Sequence, residues 1–295
     1  MLHQTATPTS VPAIGSTLNL FLNTSKSAAA HYVVDVDGFV VKLANEDIAA
    51  VHAGGVLGDA WRDLVSRTKS SQSKAHQPPK TIGAFSNITV GIEHVHGIPT
   101  NPFSQMPTDV PNPHPTSFPP EQMDGSVNLI RQFRSALFQG RGTDSIVTHN
   151  QIAIGSDNRV GRFKPHCPGS GYDWQKLEDK QFARKTRFTF VFKTKEEKAI
   201  DSFLGSSSTK VIDAAANGSG HIARLQRALR AIGYMMPVVS DNYADLRDPL
   251  RAFMIRHFSG PSRSARLKDV MDANTGEPKA KRLMVETILA SEEDL

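Results

Sequence analysis

The sequence predicts an α/β domain over residues 1–195, a small all-helical domain over 206–260 and a tail over 261–295. Three observations predict this. Short β-rich runs alternate with helical periodicity through about the first 190 residues, the pattern of an α/β layer structure. A small, polar, Gly-rich stretch, SSSTKVIDAAANGSG (206–220), then marks a linker edge. Two amphipathic helical patterns follow it within 221–258.

In chain order, AHYVVDVDGFVVKLA (30–44) reads as two β-rich runs joined at Asp37-Gly38, a hairpin signal. SRTKSSQSKAHQPPK (66–80) reads as an exposed loop, and NITVGIEHV (87–95), with Ile88, Val90 and Ile92 in alternation, as a strand. The proline-rich 97–121 is an irregular excursion. EQMDGSVNLIRQFRSALFQ then sets Met123, Val127, Ile130, Phe133 and Leu137 at helical spacing, and Ser145 to His149 is a short β-like run. Further on, Ile222, Leu225, Leu229 and Ile232 make one apolar helix face ended by Gly233. Leu246, Leu250, Phe253 and Met254 make another. The last stretch, with KDVMDANTGEPKAKR and SEEDL, reads as a loosely held tail.

Composition narrows the function. A hydrophobic fraction of 39% suits a chain that buries a real core. The net charge of +5 favours a polyanionic partner, nucleic acid or anionic cell wall. The basic residues are scattered, dense only in RFKPH, RLQRALR and KAKR, so direct nucleic-acid binding is not expected. No stretch approaches the roughly 18 apolar residues of a membrane span, and MLHQTATPTS has neither the charged nor the apolar region of a signal peptide.

The single cysteine, Cys167, is preceded by His166 and followed by Pro-Gly. It is a buried small hydrophobe, a nucleophile or a metal ligand. His3 and His149 with Cys167 offer two imidazoles and a thiolate, a set that suits catalytic zinc with a fourth position for water. Their spacing matches no compact zinc pattern, and on spacing alone ordinary packed side chains account for it better.

The stretches LHQTA, AHYVVDVDG, AVHAGG, VGIEHV, THNQIA and CPGSGYDW occur in an order that resembles the zinc-dependent N-acetylmuramoyl-L-alanine amidases of the amidase-2 type. That family includes phage lysozyme-amidases and peptidoglycan recognition proteins, and the resemblance covers about residues 1–175. It implies a mixed central β-sheet flanked by helices. It also implies Zn2+ held by His3, His149 and Cys167, with Cys167 where family members hold Asp or Cys. Glu93 matches the general base, and a carboxylate beside the metal suits that role. His52 resembles a residue lining the substrate groove. His31, Tyr32 and Asp37-Gly38 match scaffold. Many members place a Lys two residues before the third ligand, to stabilise the oxyanion; here that position is Pro165. Lys164, one step further, and His166, adjacent to Cys167, are the two candidates for that positive group; Lys164 is preferred for it, and His166 is assigned a contact with substrate.

The activity implied is hydrolysis of the amide between N-acetylmuramic acid and L-alanine, on peptidoglycan or muropeptides, by a monomer acting in the periplasm or cell wall. Residues 221–258 resemble a three-helix peptidoglycan-binding module. The rival is a non-catalytic peptidoglycan recognition protein. The full ligand set with Glu93 separates the two, since non-catalytic relatives typically lack a ligand.

Overall fold

A computed structural model describes residues 2–4, 14–23, 29–48, 50, 52, 89–96, 118–136, 146–152, 167–168, 171–206, 209–234, 239–258, 263–272 and 277–295. Its sheet contains β1 (Leu2–Gln4), β2 (Tyr32–Val34), β3 (Val40–Lys42) and β4 (Ile92–His94) in the order β1-β4-β2-β3. β1, β4 and β2 run parallel, and β3 returns antiparallel to β2. The mixed sheet expected from the sequence is present. A short helix, α1 (Ile14–Leu22), follows β1, and α2 (Pro120–Ala136) covers the sheet. Leu2, Tyr32, Val34 and Ile92 pack with Met123, Val127, Ile130 and Phe133 of α2, joined by Tyr172, and by Trp174 and Leu177 from α4 (Trp174–Asp179). The apolar stripe read from the sequence is thus the face that α2 buries; Leu137 lies outside the described residues.

The β2–β3 turn forms where Asp37-Gly38 predicts it. The Gly38 N–H donates to Asp35 O at 3.0 Å, and the Asp35 N–H to Phe39 O at 2.9 Å. Gly38 has φ +84°, and a Cβ there would lie 2.3 Å from Glu121 O. On α2, a Cβ at Gly125 would lie 2.4 Å from Gly38 O. The two glycines therefore let the turn sit against the first turns of α2. Gly38→Ala adds left-handed strain to a backbone clash and is expected to cost about 2 kcal/mol or more, read as a lower urea midpoint.

Two strand expectations change. The strand of NITVGIEHV begins only at Ile92, and residues 87–88 lie outside the described residues. Of the β-like run ending at His149, only an isolated parallel bridge, Leu2 to Thr148, forms. His149 instead opens a single helical turn, α3 (His149–Ile152).

The C-terminal half builds a second core from α5 (Lys195–Leu204), α6 (His221–Ala231), α7 (Tyr243–Phe258), α8 (Ser264–Val270) and α9 (Arg282–Glu293). A capping box between Thr194 and Glu197 starts α5. α6 has no capping side chain of its own. Asp241, which precedes α7, accepts from the Gly220 and Ala223 N–H groups at 2.7 and 2.9 Å. From the expected linker edge, Ile212 and Ala216 are buried in this core, and Ile212 bridges Ala280.

The loosely held tail is a correction. Met284, Val285, Ile288 and Leu289 of α9 are buried, as is Val270 of α8. The stripe in RLMVETILA has helical spacing, and the acidic SEEDL beside it disguised a core helix. The small helical unit thus extends beyond 206–260 on both sides, taking in α5, α8 and α9.

The two cores are locked together by charge. Arg263 donates to Glu178 of α4, and both side chains are nearly or fully buried. Thr186 donates its hydroxyl to Glu178 Oε1 at 2.8 Å and its N–H to Oε2 at 3.1 Å. Arg263 also reaches Gln175 Oε1 at 2.9 Å. The Thr186 hydroxyl, already donating, accepts from His257 Nδ1 at 2.9 Å. Burial holds His257 neutral, well below the usual histidine pKa.

Candidate active site

The sheet register assembles the site. His3 is the partner of Glu93 on one side of β1. On the other side Leu2 bridges Thr148, and the Leu2 N–H donates to Val147 O at 2.9 Å. One step further along these parallel chains comes His3 on β1 and His149 beside it. His149, His3 and Glu93 therefore occupy neighbouring places across the sheet, although 56 residues separate His149 from Glu93 in sequence (149 − 93).

Glu93 and His149 are buried at 8% and 5% exposure. Along β4, Ile92 and His94 turn toward α2: Ile92 joins its core and His94 Nε2 bonds Ser126 Oγ at 2.9 Å. Alternation then sends the Glu93 side chain to the opposite face. Cys167 is buried in a turn beyond α3. Among the described residues, no group of three His, Cys, Asp or Glu side chains forms a metal site. The chemistry of the donor set nonetheless fits a zinc ion: two imidazoles whose backbones the register makes neighbours, and a buried thiol. Lys164 and His166 lie outside the described residues.

His52, expected to line the substrate groove, packs beside β4. It is buried, its Nε2 meets Thr89 O at 3.0 Å, and it packs edge-on to His31 at 5.7 Å between ring centroids. A Cβ on Gly91 would lie 2.6 Å from its ring, so the bare Gly91 backbone makes room for it. His31 is scaffold, as expected. Its Nδ1 accepts from the Gly91 N–H at 3.0 Å, which leaves Nε2 to donate to Ile48 O at 2.8 Å.

Burial lowers the pKa of both rings, that of His52 to about 3. An unfolded imidazole takes up a proton below about pH 6.5, whereas folded His52 resists until far lower. The unfolded chain therefore gains protons first as pH falls. Stability from His52 is complete above pH 6.5 and is lost as pH falls from there toward 3. His257, also held neutral, adds in the same sense. The unfolding free energy from urea melts is expected to drop between pH 6.5 and 4.5, by up to about 1.4 kcal/mol per pH unit for each imidazole. His52→Gln should flatten that slope.

Sequence reasoning missed the groups that fix the ends of the strands. Gln122 of α2 donates to Val34 O at 2.9 Å and to Val95 O at 2.8 Å, tying the ends of β2 and β4 together. Ser126, one turn on, joins His94 to the Tyr172 hydroxyl at 3.0 Å. The available signal was two polar residues, four apart, on the apolar face of α2.

Three comparisons with known proteins complete the description. No curated protein sequence matches the chain. Among solved structures, AmpDH3 from Pseudomonas aeruginosa is similar with a TM-score of 0.54 at 16% identity, covering 98% of this chain and 90% of that one. AmpDH3 in complex with an anhydromuramic pentapeptide gives 0.52 at 17% identity and the same coverage. At such identities the likeness is one of fold, and it spans both cores. The N-acetylmuramoyl-L-alanine amidase family matches residues 1–170. Because that match takes in more than half of the sequence and ends just past Cys167, the chain belongs to the N-acetylmuramoyl-L-alanine amidase family.

Proposed function

We propose that this chain is a zinc-dependent hydrolase of the amide between N-acetylmuramic acid and L-alanine, acting on peptidoglycan or muropeptides in the periplasm or cell wall. The observation that carries the reading is the register that makes His149, His3 and Glu93 neighbours within the stretch that matches the family. His3, His149 and Cys167 would hold the metal. Zinc, when bound, supplies Lewis acidity toward the lactyl carbonyl and the attacking water. The Glu93 carboxylate accepts the proton from that water and delivers it to the nitrogen of the leaving L-alanine. Lys164 is assigned to stabilise the charge that develops on the carbonyl oxygen, and His166 to bind substrate. AmpDH3 has been solved with an anhydromuramic pentapeptide, and we carry that ligand class over as the substrate to test.

The purified chain is expected to carry about one zinc, and Cys167→Ala to lose most of it by elemental analysis. Chelation should stop the release of peptides from sacculi, and added zinc should restore it. Release that ignores chelation would remove zinc from the account. Binding to sacculi without release would make the chain a recognition protein.

A further inference from the structure

We propose that Arg256, Tyr234 and Trp174 form a buried site for one small monoanion at the joint between the two cores. Arg256 is 9% exposed, Tyr234 3% and Trp174 1%. Arg256 Nη1, the Tyr234 hydroxyl and Trp174 Nε1 have no hydrogen-bond partner among the described residues. All three are donors. The Arg256 guanidinium lies 3.7 Å from the Trp174 ring centroid. Tyr234 packs on Phe253 at 5.6 Å, and Phe253 and Arg256 are one turn apart on the same face of α7. The three groups therefore come together where α7, α4 and the end of α6 meet.

The charge there does not close. Glu178 is the carboxylate that acts on Arg256, and it is already bound to Arg263 and Thr186. His257, next in sequence, is neutral. Among the described residues one buried guanidinium thus remains uncompensated, in a place where an unpaired charge costs several kcal/mol. Burial also lowers its pKa, but a guanidinium stays charged at any working pH. A single negative charge that accepts hydrogen bonds balances one cation and two neutral donors. The near-complete burial restricts the ligand to the size of a halide or formate.

The test is the melting temperature of the full chain as sodium chloride replaces sodium gluconate at constant ionic strength, repeated with sodium formate. Gluconate is too large for the site. Above its Kd, each tenfold rise in chloride or formate should raise the melting temperature by roughly 2 °C. Arg256→Met should abolish the rise. Tyr234→Phe removes one donor, keeps the packing and should shrink it. A wild-type melting temperature that ignores the exchange would overturn the proposal, as would an unchanged rise in Arg256→Met. Should Arg256→Met fail to fold, Tyr234→Phe decides: an undiminished rise sinks the site.

Discussion

Glu93→Gln is expected to keep the fold and its zinc and to lose about 10²–10⁴-fold in turnover. The substitution preserves the shape of the side chain and removes only the ability to accept a proton. The backbone at Glu93 is held from both sides, by β1 and by β2. Its neighbour His94 is anchored to Ser126 on the other face of the sheet. An amide at position 93 is therefore expected to leave the strand in place. kcat on a soluble muropeptide, with circular dichroism and elemental analysis of the same sample, separates loss of chemistry from loss of fold. Near wild-type turnover in a folded, metal-loaded variant would move the base elsewhere.

A chain ending at Ser206 is expected to melt early or aggregate. Residues 221–258 read in sequence as a separable wall-binding module, and on that reading such a chain keeps its activity on small muropeptides. The packing points the other way. Truncation strips the partners of Ile200 and Leu204 in α5. It also removes Arg263 and leaves the Glu178 carboxylate buried beside Thr186. Breaking a buried pair from one side costs about 3–5 kcal/mol, before the lost apolar contacts are counted. Arg263→Met in the full chain isolates the charge contribution and should lower the melting temperature sharply. If the truncated protein melts as the full chain does yet loses its grip on sacculi, the helical unit is a tether after all, raising the effective concentration of substrate.

Local features were legible in the sequence, and non-local ones were not. The Asp37-Gly38 hairpin, the Met123–Phe133 stripe of α2 and the faces of α6 and α7 follow from spacing and turn chemistry, and all are present. The run ending at His149 has β propensity, but among the described residues a single bridge to Leu2 is all the pairing it finds. Packing outweighed propensity there. The ligand types and Glu93 could be named from motifs. Their adjacency is a fact of strand order, in which β4 is inserted between β1 and β2. No local pattern carries that order. The lock between Glu178 and Arg263, 85 residues apart, was equally hidden. The close approach of His52 to the bare Gly91 backbone, 39 residues away in sequence, was hidden in the same way.

The most direct measurement is mass spectrometry of one defined muropeptide before and after incubation with the zinc-loaded full chain. The account predicts two products whose masses sum to that of the substrate plus one water. One is the free muramic acid lactyl carboxylate; the other is the stem peptide with an unblocked L-alanine amine. Both should form about 10²–10⁴-fold more slowly with Glu93→Gln. Cleavage at a glycosidic bond or within the stem peptide, or an unchanged substrate with wild-type protein that carries its zinc, would contradict it.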